Sequence, residues 1–143
     1  MSHSRGKSSW KWCQRGLGRR RACLNNLAHV LLARGDPAGA EPFAREAAAM
    51  FERMAGKEAY STGNARQKLG RALAGLGRWS EAETELLEAE RVLSTAKGVP
   101  PGRHKQCVED LAKLYASWDG AEPGQGHDAK AVDWKARVDA EKE

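Results

Sequence analysis

Apolar residues recur at three- and four-residue spacing along most of the chain, which is the pattern of amphipathic helices. The first such stripe begins near Arg19 and contains Leu24, Leu27 and Leu31. Stretches that contain glycine or proline interrupt the pattern and indicate where helices end. The pattern predicts six helices and no strands. The predicted helices cover about 19–34, 37–54, 61–76, 80–96, 103–118 and 128–142.

Short polar segments are predicted to begin and end these helices. The segment 35–37 (Gly-Asp-Pro) places a glycine where a helix ends and a proline where the next begins. Ser61 or Thr62 is predicted to cap the third helix. Ser80 and Glu83, three residues further on, form a predicted capping box for the fourth.

The helices repeat with a spacing of 42 residues. In the third unit the segment 119–126 is longer, and aligning Gly126 with Gly77 indicates seven inserted residues. Such a period indicates stacked helix–turn–helix units, here at about 19–55, 60–97 and 103–142. The matched sets are Leu27, Leu69 and Leu111; Ala28, Gly70 and Ala112; Leu31, Leu73 and Tyr115; Gly35 and Gly77; Ala40, Ala82 and Ala131; Ala47 and Ala89.

The repeated positions predict how the units pack. Small residues such as Gly70 and Ala82 are expected to let the two helices of a unit approach closely. Leu27, Leu69 and Leu111 are expected to fill the space between units. One helix pair cannot bury its apolar face alone, so the units are expected to stabilise one another.

The second unit reads Leu69-Gly70-x-x-Leu73, then Gly77-x-Trp79, then Ala82-x-x-x-Leu86-x-x-Ala89. This arrangement resembles the tetratricopeptide repeat, and the spacing is similar to that of its kinesin-light-chain-like subclass. The resemblance covers about residues 20–140. It implies an all-α fold, a right-handed helical-repeat solenoid of about three helix–turn–helix units. It also implies a non-catalytic scaffold or adaptor that binds proteins, and bacterial arrays of this subclass often accompany signalling kinases.

In this family the first helix of each unit lines a concave groove, which implies a binding site for a peptide or partner protein. Asparagine and glutamine can pair with a peptide backbone. Lys68, Arg71 and Lys113 would attract a carboxylate. The alternative is a solvated polar face, which any exposed helix has. By position, the residues that the resemblance places in the groove are Asn25, Asn26, His29, Leu32, Asn64, Gln67, Lys68, Arg71, Gln106, Glu109, Asp110, Lys113 and Ser117.

The net charge of +5 comes from the start of the chain, because residues 1–21 contain seven basic residues and no acidic ones. The other residues carry 17 Lys and Arg against 19 Asp and Glu. We therefore predict a basic, disordered tail at 1–18 and a repeat domain at 19–142. Trp10 and Trp12 alternate with lysine, a pattern that suits single-stranded nucleic acid or an anionic membrane surface. A nucleic-acid-associated protein is thus the alternative function, and a transit peptide is another interpretation of the tail.

No motif in the sequence predicts catalysis, a metal site or a cofactor. The histidines lie in unrelated contexts, and there is no H-E-x-x-H and no P-loop. Cys13, Cys23 and Cys107 are odd in number and widely spaced, which predicts reduced thiols, with Cys23 in the core. No apolar run approaches the roughly 20 residues of a membrane span. We therefore expect a cytoplasmic protein that is not an enzyme.

Three units are the lower limit for a stable helical array. Two explanations stay open from the sequence. The chain is a fragment of a longer array, or it gains stability by self-association through exposed end faces.

Overall fold

The computed structural model describes residues 17–140, which form six α-helices and no strand. The prediction of an all-α helical-repeat fold is therefore confirmed for this part of the chain. The predicted tail at 1–18 lies almost entirely outside the described residues. The helices are α1 (Leu17–Ala33), α2 (Pro37–Ala55), α3 (Tyr60–Gly75), α4 (Trp79–Thr95), α5 (Arg103–Ala121) and α6 (His127–Ala140).

Consecutive helices pack on one another, so that α1 with α2, α3 with α4, and α5 with α6 form three helix–turn–helix units in a row. The first helix of the middle unit, α3, also contacts both α1 and α5. The first helices of the three units therefore lie side by side along one face of the array. Within residues 17–140, no helix is both long and apolar enough to cross a membrane.

Small residues bring the helices of a unit together as predicted. A Cβ atom added to Gly70 would lie 2.5 Å from Cγ of Leu86, far inside van der Waals contact. Ala40 and Ala82 are fully buried. The turn between the helices of a unit also repeats, because Gly35 and Gly77 each have φ of 76°, a left-handed backbone that favours glycine.

One helix of the structure has a side-chain cap that the sequence did not predict. Asp36 caps α2, where its Oδ1 accepts a hydrogen bond from the Gly39 amide at 3.0 Å. The caps predicted at Ser61 or Thr62 are wrong, because α3 begins at Tyr60 without a side-chain cap. The Thr62 hydroxyl instead donates to the Gly56 carbonyl oxygen at 2.7 Å, which ties the first turn of α3 to the preceding loop.

The capping box predicted at Ser80 is also wrong. The residue at the N-cap of α4 is Arg78, and no side chain caps that helix. The Arg78 guanidinium pairs with both carboxylate oxygens of Glu81, at 2.9 Å each. An acidic residue in the first turn is favourable beside the helix dipole, so Glu81 contributes there without a cap.

Three further expectations need correction. Leu27 does not fill a joint between units, since it is 43% exposed whereas Leu69 is 3% and Leu111 is 0% exposed. Helix α5 runs on through Gly120 to Ala121, so the loop before α6 is shorter than the predicted 119–126. Cys23 is partly buried and disulfide-bonded, so the expectation of a reduced core thiol is wrong for this residue.

Candidate functional site

The polar faces of α1, α3 and α5 meet along one side of the array, and we call this surface the groove. Helical spacing of three and four residues places the predicted residues of each helix on a shared face. Between α3 and α5 the groove deepens into a cavity of about 240 Å³, with Arg71 on one side and Asp110 and Lys113 on the other. The groove residues discussed below are Asn25, Asn26, His29, Asn64, Gln67, Lys68, Arg71, Arg103, Gln106, Asp110 and Lys113.

Lys68 holds a buried positive charge in the middle of the groove. Its side chain is 6% exposed, and its Nζ donates a hydrogen bond to Asn64 Oδ1 at 3.0 Å. Burial is the main cause that lowers the pKa of Lys68 to about 8, and the charges of Arg103 and Arg71 lower it further. The charge of Asp110 raises the pKa of Lys68, but by less than the other causes lower it. The groove therefore favours an additional negative charge near Lys68.

Asp110 connects two units across the groove. Gln67 Nε2 donates to Asp110 Oδ2 at 2.8 Å, and Arg71 Nε lies 3.8 Å from Asp110 Oδ1. Burial raises the pKa of Asp110, although the Gln67 hydrogen bond and the charge of Arg71 act to lower it. The negative charge of Asp110 also acts on Lys68, whose pKa it raises.

His29 extends the positive region to the first unit. Its pKa is lowered mainly by burial and then by the charges of Lys68, Arg71 and Arg103. The positive charges of α3 and α5 thus lower the pKa of a basic residue on α1. Such a grouping stabilises a bound carboxylate, because charge-assisted hydrogen bonds are stronger than neutral ones.

Two buried acceptors in the groove have no hydrogen-bond partner among residues 17–140. These are Asn25 Oδ1 of α1 and Gln67 Oε1 of α3. The two residues lie on the first helices of neighbouring units. Buried polar atoms are nearly always paired in folded proteins. Each of the two oxygens therefore carries an uncompensated desolvation cost in the folded chain.

The structure places the predicted site residues at different depths. Asn64, Gln67 and Lys68 are buried and bonded within the groove, whereas Asn26, His29, Gln106 and Lys113 are exposed along it. The charge of Arg103 lowers the pKa values of Lys68 and His29. The sequence did not predict Arg103 as a groove residue. A signal for it exists, because Arg103 lies three residues before Gln106 and seven before Asp110, on the same face of α5.

The described residues offer little for metal or thiol chemistry. Within residues 17–140, no group of three or more His, Cys, Asp and Glu side chains could hold a metal ion. Burial raises the pKa of the Cys107 thiol, which donates to the Leu86 carbonyl oxygen at 3.6 Å. Such a thiol is a packing residue, because reactive cysteines need an accessible thiolate.

A family model described as tetratricopeptide repeat matches residues 20–95, which is more than half of the chain. The match contains most of α1 and all of α2, α3 and α4. The comparison with curated proteins finds no match.

Proposed function

Because the chain belongs to the tetratricopeptide repeat family, we propose that it is a non-catalytic adaptor that binds a partner protein in the groove. Repeats of this family generally mediate protein–protein interactions, and stacked helical units present extended binding surfaces. The partner contributes either an extended peptide or a helix. The observation that carries the proposal is the buried positive charge of Lys68, whose pKa falls to about 8.

The chemistry of the groove favours a partner segment that carries a carboxylate. The carboxylate would lie near Lys68 and Arg71, where nearby cations already disfavour further positive charge. Lys113 lines the same cavity and is exposed, so its ammonium group can reach a ligand.

We also propose that the array is of the kinesin-light-chain-like subclass. Support comes from residues 42 positions apart that share an environment. Gly35 and Gly77 have the same φ of 76°. Ala47 and Ala89 are both fully buried. These shared environments support a repeat of 42 residues.

The experiment that tests the groove compares two triple variants in affinity purification from the native lysate, followed by mass spectrometry and calorimetry with the identified segment. Lys68→Met, Arg71→Met and Lys113→Met together remove three groove charges and keep side chains of similar length. Each charge-assisted hydrogen bond contributes about 1.5–3 kcal/mol. We therefore expect the groove variant to bind at least roughly tenfold more weakly.

The control variant carries Arg53→Met, Lys57→Met and Lys97→Met, three exposed residues outside α1, α3 and α5. It changes the net charge by the same amount, so a general electrostatic effect would weaken both variants equally. Circular dichroism checks that both stay helical. If the groove variant retains wild-type affinity for the identified partner, the groove is not the binding site.

A further inference from the structure

The outer side of α1 exposes two apolar residues whose counterparts in the other units are buried. Leu27 is 43% exposed and Val30 is 45% exposed. We call these two residues the head face. The residues 42 and 84 positions later pack into the joints between units, where Leu69 is 3%, Leu111 0%, Ala72 0% and Leu114 1% exposed. The head face is therefore apolar, like the residues at the interfaces between units. No described helix packs against it.

The opposite side of the array has an open apolar cleft between α5 and α6. It has a volume of about 390 Å³, and we call it the tail cleft. Its apolar wall contains Ala112 and Ala116 of α5 together with Ala131, Val132 and Val138 of α6. Val132 is 70% exposed, although valine is usually buried.

The tail cleft occupies the place at which an internal joint would receive the next unit. In the second unit, Ala82 and Leu86 of α4 lie in one core cluster with Leu111 and Leu114 of α5. The loop before α6 is longer, so the residues that correspond to positions 82, 86 and 89 come 49 positions later. All three line the tail cleft, and they are Ala131, Lys135 and Val138.

We propose that the tail cleft of one copy receives the head face of a second copy, so that the chain associates head to tail. Leu27 and Val30 of the second copy would take the places that Leu111 and Leu114 take at the internal joint. One chain thus carries both halves of the same joint, one on its first described helix and one on its last two.

The residues that correspond to one polar contact between the second and third units support a second copy as the occupant of the tail cleft. At the internal joint, the Tyr115 hydroxyl donates to Glu83 Oε2 at 2.6 Å. The residues at the corresponding positions are Leu31 of α1, beside the head face, and Val132 of the tail cleft. Both members of this pair are apolar, so burying them leaves no polar group at this position without a partner.

The charges around the tail cleft fit the same occupant. Its rim carries Glu109 and Asp139 with Lys113 and Lys135, so the two signs balance. A neutral rim does not repel a second copy of the chain. The contact joins two different surfaces, which allows a chain of copies to grow or a ring to close.

Complementary blocked variants test the proposal directly. Sedimentation velocity of the full chain should show a mass that increases with protein concentration. Leu27→Asp blocks the head face and Val132→Asp blocks the tail cleft, and each variant alone should remain monomeric. An equimolar mixture should form dimers and nothing larger, because one intact head face and one intact tail cleft remain.

Met54→Asp provides the control, because Met54 is 53% exposed and belongs to neither surface. It should associate as the wild type does. Circular dichroism checks the fold of each variant, and the exposure of Leu27 and Val132 makes both substitutions tolerable. A wild type that stays monomeric at every concentration, a blocked variant that still associates, or a mixture without dimers would each overturn the proposal.

Discussion

Lys68 lowers the stability of the folded chain at neutral pH, because its ammonium group is buried beside other cations. Its pKa falls from the ordinary 10.5 to about 8 on folding. Below about pH 8 both states hold the proton and the cost is complete. Between pH 8 and 10.5 the unfolded chain binds more protons at this residue, so its contribution to stability rises with pH.

The prediction compares wild type with Lys68→Met in urea unfolding at several pH values. The pKa change of Lys68 corresponds to roughly 3 kcal/mol. We expect the variant to be more stable at pH 7 by up to this amount, and the difference to shrink as pH approaches 10.5. Groups such as Tyr115 and Cys107 titrate in both proteins and cancel in the difference. A difference that does not change with pH would contradict the buried charge.

The sequence predicts some residues of the groove better than others. Spacing placed Asn25, Lys68 and Arg71 on first helices, and these helices do lie side by side. Spacing along one helix does not show how closely two helices approach, however. The burial of Gln67, which is 2% exposed, and its hydrogen bond to Asp110 therefore required the structure.

At the scale of the element, helix order was predictable and helix capping was not. Periodicity and glycine positions are properties of a continuous segment, so the six helices could be read from the sequence. A capping residue depends on where the first turn begins, and a shift of one or two residues moves a serine inside the helix. Ser80 shows this, because α4 begins at Trp79.

Asp36 and Ser80 form a matched pair for testing the caps. Asp36→Ala removes the hydrogen bond to the Gly39 amide, and we expect it to lower the free energy of unfolding by about 0.5–2 kcal/mol. Ser80→Ala removes no cap, and we expect a change within about 0.5 kcal/mol. Urea unfolding monitored by circular dichroism measures both. Equal losses would mean that Ser80 caps α4 after all.

At the scale of the whole molecule, residues with the same repeat position differ in energy according to where their unit lies. Leu111 is completely buried at the joint between the second and third units, whereas Leu27 is 43% exposed. We expect Leu111→Ala to lower the free energy of unfolding by about 2–5 kcal/mol. We expect Leu27→Ala to lower it by less than about 1 kcal/mol. Urea unfolding of dilute protein, at which self-association is minimal, makes this comparison.

Similar losses for the two variants would contradict the assignment of Leu27 to an open face. The sequence alone treats the two leucines alike, since both belong to the same repeated motif. Their environments differ because burial depends on which unit packs beside them. The sequence therefore predicts the contacts inside a unit more securely than those at the first and last described helices.

The contacts of Asp110 restrict the motion of the third unit relative to the second. Units in a stacked array touch only their neighbours, so the softest motion is a tilt of one unit against the next. The contacts of Asp110 with Gln67 and Arg71 cross that joint on the groove side and oppose such a tilt. The groove thus keeps its curvature before any partner arrives. A partner that fits this curvature loses less conformational freedom on binding than one that must first straighten or bend the array.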